Sequence, residues 1–267
     1  MKRLNSIKTF IKKNKKIYIE LLINDFRTRY NGSFLGTVWG FVQPLVTLLV
    51  YWIVFQYGMR SGARPDGVPY AFYMTAGAIA WFYFSEAWGG ITSSFLDYSY
   101  LVKKLNFDIR LLPMVKLGSA FLIHIVFIII STILLNFGGY YANWYYIQII
   151  YYTFAISAFT MALGLITSSL AVYIRDIMQI VGIILQIGFW INPICWGSEM
   201  LHGVFEVLLK MNPLYYCIVG YRDCLIYRKG FWEEPLYTLY FWGVTLVLFM
   251  LGRYMYNKLR PNFADVM

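Results

Sequence analysis

Ionisable side chains inside the apolar stretches of this sequence are almost limited to Glu86 and His124. A carboxylate at membrane depth is costly unless it is paired, protonated or facing water. Glu86 therefore marks a functional position, or else it bonds a backbone or hydroxyl group or lies near enough to the interface to reach water. His124, set among Leu122, Ile123, Ile125 and Val126, reads as a neutral, hydrogen-bonded core residue. Two distant histidines (His124, His202) and three cysteines without a CxxC pair (Cys195, Cys217, Cys224) give no metal-ligand pattern. The cysteines read as small apolar fillers, a Cys217–Cys224 disulfide being the alternative. Neither GxxxxGK[ST] nor GxGxxG occurs, and no nucleophile or HExxH pattern is present. No catalytic, cofactor-binding or metal residues are expected in this chain, and an acid-relay transporter lacks its groups.

Such sparse chemistry is carried by an unusually apolar chain. Of 267 residues, 60% are hydrophobic and 13% charged, against roughly 25% charged in a soluble domain. Uncharged runs cover residues 30–59, 67–85, 117–174, 177–198 and 235–252. Each suits one crossing of about 20 residues, and 117–174 suits two. Six spans follow if the second continues through Glu86 to about residue 96. The expected fold is an all-α membrane protein of two parts, an amphipathic interface helix over 1–29 and a six-span domain over 30–267. The first apolar run is far longer than the core of a cleavable signal. With both termini cytoplasmic, seventeen Lys/Arg fall on inner segments and six on outer ones, as the positive-inside rule requires. Seven of the ten net positive charges lie in the first thirty residues, a membrane-surface signature rather than one of nucleic-acid binding.

Four features stand out against this frame. Ile7, Phe10, Ile11, Tyr18, Leu21, Leu22 and Phe26 are spaced as one face of a helix lying at the cytoplasmic interface. The inner loop 98–113 mixes Leu101, Val102, Leu105, Phe107, Leu111 and Leu112 with Lys103, Lys104, Asp108 and Arg110, which reads as a short amphipathic docking helix. Arg175-Asp176 anchors an inner corner almost without a loop. Residues 197–226 form two apolar pieces too short to span, broken at Asn212-Pro213, and read as a re-entrant pair on the outer face. Aromatic residues make up 20% of the chain. Tyr51, Phe55, Trp81, Tyr83, Phe84 and Trp190 lie in the outer half of the spans, where they serve as a sugar-stacking path or as lipid-facing packing. The outer bases Arg60, Arg64, Arg222, Arg228 and Lys229 either favour an anionic polymer or are solvated loop charges.

In order along the chain, Arg29-Tyr30, Ser33-Phe34-Leu35-Gly36, Trp39, Pro44, Tyr51-Trp52, Val54-Phe55, Val102-Lys103-Lys104, Phe107, Pro113, Arg175-Asp176, Gln186, Phe189-Trp190, Asn192-Pro193 and Asn212-Pro213 resemble the membrane subunits of ABC-2-type exporters of O-antigen, capsule or wall teichoic acid. Residues 50–77 look especially like the teichoic-acid branch. The resemblance implies a homodimer in the bacterial cytoplasmic membrane, joined by two ABC ATPase subunits that hold ATP and magnesium. It implies that Tyr98, Tyr100, Leu101, Lys103, Lys104, Phe107 and Arg110 couple to the ATPase. By the same token, Asn212, Pro213, Tyr215 and Arg222 belong to an outer gate, and the substrate is a lipid-linked polysaccharide or teichoic acid. A small-molecule exporter of the same superfamily is the alternative, ahead of a membrane enzyme acting on lipid-linked sugars.

Overall fold

The computed structural model describes residues 2–28, 36–58, 66–103 and 107–267, all helical or loop with no strand among them. Among the described residues eleven α-helices follow one another: α1 (Lys2–Thr28), α2 (Trp39–Ile53), α3 (Tyr70–Asp97), α4 (Ser99–Val102), α5 (Leu111–Phe137), α6 (Gln148–Ala171), α7 (Asp176–Ile191), α8 (Val204–Met211), α9 (Pro213–Arg222), α10 (Pro235–Leu259) and α11 (Phe263–Val266). Among the described residues, three helical stretches are long and apolar enough to cross a membrane: Leu111–Phe137, Trp144–Ala171 and Pro235–Val266. The other three expected spans differ from these in kind. α3 has 28 residues, roughly 42 Å at 1.5 Å per residue, but glycine, serine and Glu86 dilute its apolarity. α2 and α7 are apolar but have 15 and 16 residues. A 3-10 turn at Gly36–Val38 and a π turn at Val54–Gly58 lengthen α2.

α3 is the hub, packed by α5, α6, α7 and α9, while α10 packs on α6. Close approach is achieved with small side chains, since Ala76, Ala80, Ala87, Ala155 and Ala162 are wholly buried and a Cβ on Gly164 would come within 2.3 Å of Ile91. Helix ends follow local chemistry. α5 closes with Tyr140 N–H bonding the Leu135 carbonyl and Gly139 N–H that of Asn136, and Gly139 takes the left-handed φ of 88° such a cap needs. α7 stops at Asn192, extended because a proline follows. α9 starts at Asn212, whose side chain accepts from Leu214 N–H with Pro213 in the first turn.

One expectation is redrawn. The docking helix over 98–113 is one turn, α4; residues 107–110 form a turn and Leu111–Pro113 already belong to α5. Pro113 explains the reassignment, because a proline in the first turn starts a helix at no hydrogen-bonding cost. The amphipathic segment at the N-terminus is helical throughout Lys2–Thr28. Lys104, Arg60, Arg64 and the motif residues 29–35 lie outside the described residues. Cys195, Cys217 and Cys224 are buried free thiols.

Candidate functional site

One end of the bundle is organised by a charge cluster. Lys116 Nζ lies 2.8 Å from Asp25 Oδ1 and 2.8 Å from Asp97 Oδ2, so α1, α3 and α5 meet at one ammonium. The Tyr98 hydroxyl donates to Asp25 Oδ1 at 2.8 Å, and the Tyr98 ring lies 5.3 Å from the same ammonium. Burial alone would raise the Asp25 pKa; the Lys116 bond and charge, with Ser119 and Tyr98, bring it below the usual carboxylate range instead. Gly118 makes room for this docking, because a Cβ there would meet the Tyr18 hydroxyl at 2.5 Å and Leu22 at 2.6 Å.

Beside the cluster lies the expected coupling segment. Tyr98, Leu101 and Val102 are buried with Ile109, Leu112, Val172, Tyr256 and Phe263 in a small core of their own, against which Phe107 packs. Tyr100 is 55% exposed and Lys103 is exposed. Arg110 is held by a two-pronged bond to Asp108 at 2.8 and 2.6 Å, and Asp108 is depressed despite its partial burial. The segment thus has a fixed apolar underside and an outward face bearing Tyr100 and Lys103. α11 is part of that underside, with the Phe263 ring centroid 5.2 Å from Phe95; sequence reading found no role for it.

The aromatic residues divide. Trp81, Tyr83 and Phe84 are at most 5% exposed, so they are core packing in this chain and not an open slide. Their run on the central helix puts them against α5, α6 and α7, with Trp81 5.9 Å from Phe189, Tyr83 stacked at 4.3 Å on His124, and Phe84 6.0 Å from Phe159. Trp190 is 53% exposed, with Tyr51 at 6.0 Å between α2 and α7; Phe55 stacks on Tyr70 at 5.4 Å. Glu86 is exposed on its helix and faces a cavity of about 200 Å³ between α2, α3 and α5, shared with Gln43, Thr47 and His124. His124 is structural, as its surroundings suggest: Nε2 is 2.7 Å from the Tyr221 hydroxyl, itself 2.7 Å from Thr153. Arg175 and Asp176 are both exposed at the α6–α7 corner, with no ion pair between them among the described residues.

Towards the opposite end of the bundle, the two Asn-Pro corners meet. Asn212 Nδ2 donates to Asn192 Oδ1 at 2.9 Å, and Asn192 Nδ2 to the Gly188 carbonyl at 2.7 Å. Beneath them Arg222 is 2% exposed. Its guanidinium lies 3.7 Å over the Tyr73 ring and donates to the carbonyls of Tyr73 (3.2 Å), Pro193 and Ile194 (3.1 Å). Gly77 leaves the space, since a Cβ there would be 2.4 Å from Nη2. Arg222 is therefore neither a solvated loop charge nor a free cation for a polymer. Arg228 and Lys229 are exposed, and Tyr215 is buried beside α10, 6.2 Å from Tyr237.

The ABC-2 type transporter family matches residues 18–226, which takes in the charge cluster, the coupling segment and the Arg222 latch. Among curated relatives, the O-antigen export system permease protein RfbA of Myxococcus xanthus is 26% identical over 255 residues, covering 93% of this chain and 94% of the relative. A protein of the same name from Klebsiella pneumoniae is 26% identical over 247 residues, covering 91% and 92%. With an all-helical body, membrane-length apolar helices and a family match over most of its length, this chain belongs to the ABC-2 type transporter family.

Proposed function

We propose that this chain is the membrane subunit of an ATP-driven exporter that moves a lipid-linked surface polysaccharide across the bacterial cytoplasmic membrane. Two copies would pair with two ABC ATPase subunits, which hold ATP and magnesium. In this reading α2, α3, α5, α6, α7 and α10 are the six spans, the Asp25–Lys116 end is cytoplasmic, and α8 with α9 form the outer re-entrant cap. The family match with relatives named as O-antigen export permeases supports it most directly. The coupling segment adds a physical argument: a load can be transmitted only if the docked residues have a rigid backing, and Tyr100 and Lys103 project from a buried one. O-antigen is favoured by the relatives' names; a teichoic acid is the second reading, from the resemblance of residues 50–77.

The test is reconstitution with the cognate ATPase. ATP-dependent translocation of the lipid-linked glycan is expected, with negligible hydrolysis by the isolated chain. Charge reversal at Lys103 and Lys104 is expected to weaken assembly or stimulated hydrolysis. Vigorous ATP hydrolysis by the chain alone would refute the division of labour.

A further inference from the structure

At the end of the bundle opposite the charge cluster, α9, residues 229–234 and the first turns of α10 enclose a cavity of about 740 Å³, a size usual for small-ligand sites of about 300–1,000 Å³. Tyr152, Tyr215, Tyr216, Tyr237 and Tyr240 line it. Three of their hydroxyls are engaged. Tyr237 donates to the Lys210 carbonyl, Tyr240 to that of Met211, and Tyr216 bonds Tyr151 and Thr238. The other two are not. Tyr152 and Tyr215 are 3% and 7% exposed, yet neither hydroxyl has a hydrogen-bond partner among the described residues. The half-buried Asp223 carboxylate lines the same space, also with no hydrogen bond or ion pair among them. These three groups open onto the cavity and are not engaged by the described protein, so they stand ready to bond whatever fills it.

We propose that this cavity binds an uncharged sugar unit of the exported chain as it emerges; the proposal rests on the polysaccharide-export reading above. A pyranose offers an apolar C–H face to tyrosine rings and hydroxyls that both donate and accept, which is what Tyr152, Tyr215 and Asp223 lack. Charge narrows the class further. Asp223, Glu233 and Glu234 face only Lys210 and Lys229 there, and Lys210 is already paired with Glu206 at 2.7 Å. The residual field is negative and disfavours a phosphate-bearing polymer or phospholipid headgroup. Gly220 sets the floor, since a Cβ there would meet the Tyr152 ring at 2.0 Å.

The experiment uses the complete complex with its ATPase in nanodiscs. One probe is the lipid-free oligosaccharide released from the host's own exported glycan by mild acid; the other is a glycerol phosphate oligomer of similar length, standing for both anionic polymers and lipid headgroups. Saturable binding of the first is expected by calorimetry. It should weaken about tenfold in Tyr152→Phe/Tyr215→Phe and in Asp223→Asn, as loss of bonds to buried partners implies, with little competition from the second. These changes delete a hydroxyl or a charge without altering shape, and Tyr141→Phe, at an exposed position, is the control. No saturable binding, equal binding by the variants, or equal affinity for the phosphate oligomer overturns the proposal. ATP-dependent translocation is followed in the same preparation: transport with unchanged binding in the variants removes the cavity site alone, whereas no glycan transport removes the parent reading.

Discussion

Replacing Lys116 with methionine probes the Asp25–Lys116–Asp97 charge cluster most sharply. The side chain is 11% exposed, and its two carboxylate partners differ, Asp25 at 4% and Asp97 at 43%. For the half-exposed Asp97, loss of the pair costs at most about 1 kcal/mol, because solvent screens it. For Asp25 the lysine is the main counter-charge, and an unpaired buried carboxylate costs about 3–5 kcal/mol. In a domain of this size that corresponds to a fall in unfolding temperature of roughly 10 °C. Asp25→Asn should cost less, about 1–3 kcal/mol, since Lys116 keeps Asp97. The double variant Asp25→Asn/Lys116→Met should recover part of the Lys116→Met loss, because the orphaned charge is gone. Thermal unfolding of the detergent-solubilised complex reads the series, and protease cleavage within α1 reports undocking from α5. Strictly additive losses, or a Lys116→Met variant within about 0.5 kcal/mol of wild type, would refute the idea that α1 is held by a buried ion pair.

Gly77→Ala should be among the most damaging small substitutions, at about 2–4 kcal/mol, because its methyl group competes with the Arg222 guanidinium; Gly89→Ala, with open space around it, should be neutral by the same thermal assay. Arg222→Met should destabilise the packing of α9 on α3, and Arg222→Lys should rescue it poorly, because one ammonium cannot reach three carbonyls while covering Tyr73. Tyr221→Phe should cost about 1–2 kcal/mol by removing the bonds to His124 and Thr153. Because the Asp25 pKa is lowered on folding, its stabilisation is complete above the unfolded value and is lost only as pH falls through the lower folded one. Protease protection of α1 should therefore be flat from about pH 5 to pH 8 and vanish only in stronger acid.

What a reader of the sequence can see follows from what is local. Apolar runs and the Asn-Pro corners announce themselves within twenty residues, and the structure makes helices of the apolar runs and breaks them at those corners. The extent of the docking helix was overestimated because leucines at Leu111 and Leu112 suit an amphipathic turn as well as the start of α5. The important contacts at both ends are non-local. Asp25 and Lys116 lie ninety-one positions apart, and no local pattern links them. Arg222 was harder still: its partners are backbone carbonyls and a ring, which carry no residue-type signature, so it read as an ordinary outer charge. Trp81, Tyr83 and Phe84 read as a path because aromatic richness is visible in a sequence, while the face they turn to is set by neighbours far along the chain.

The Asn192–Asn212 bond closes the chain between α7 and α9 into a ring whose two ends are pinned beside each other. Both ends of that ring are also tied to the bundle, through Arg222 on the Pro193 and Ile194 carbonyls and through Tyr237 and Tyr240 on those of Lys210 and Met211, so added chain is tolerated at the middle of the ring and not at its ends. An epitope placed near His202, whose flanking backbone is in open loop, would report which side of the membrane this end faces without disturbing the transporter beneath it.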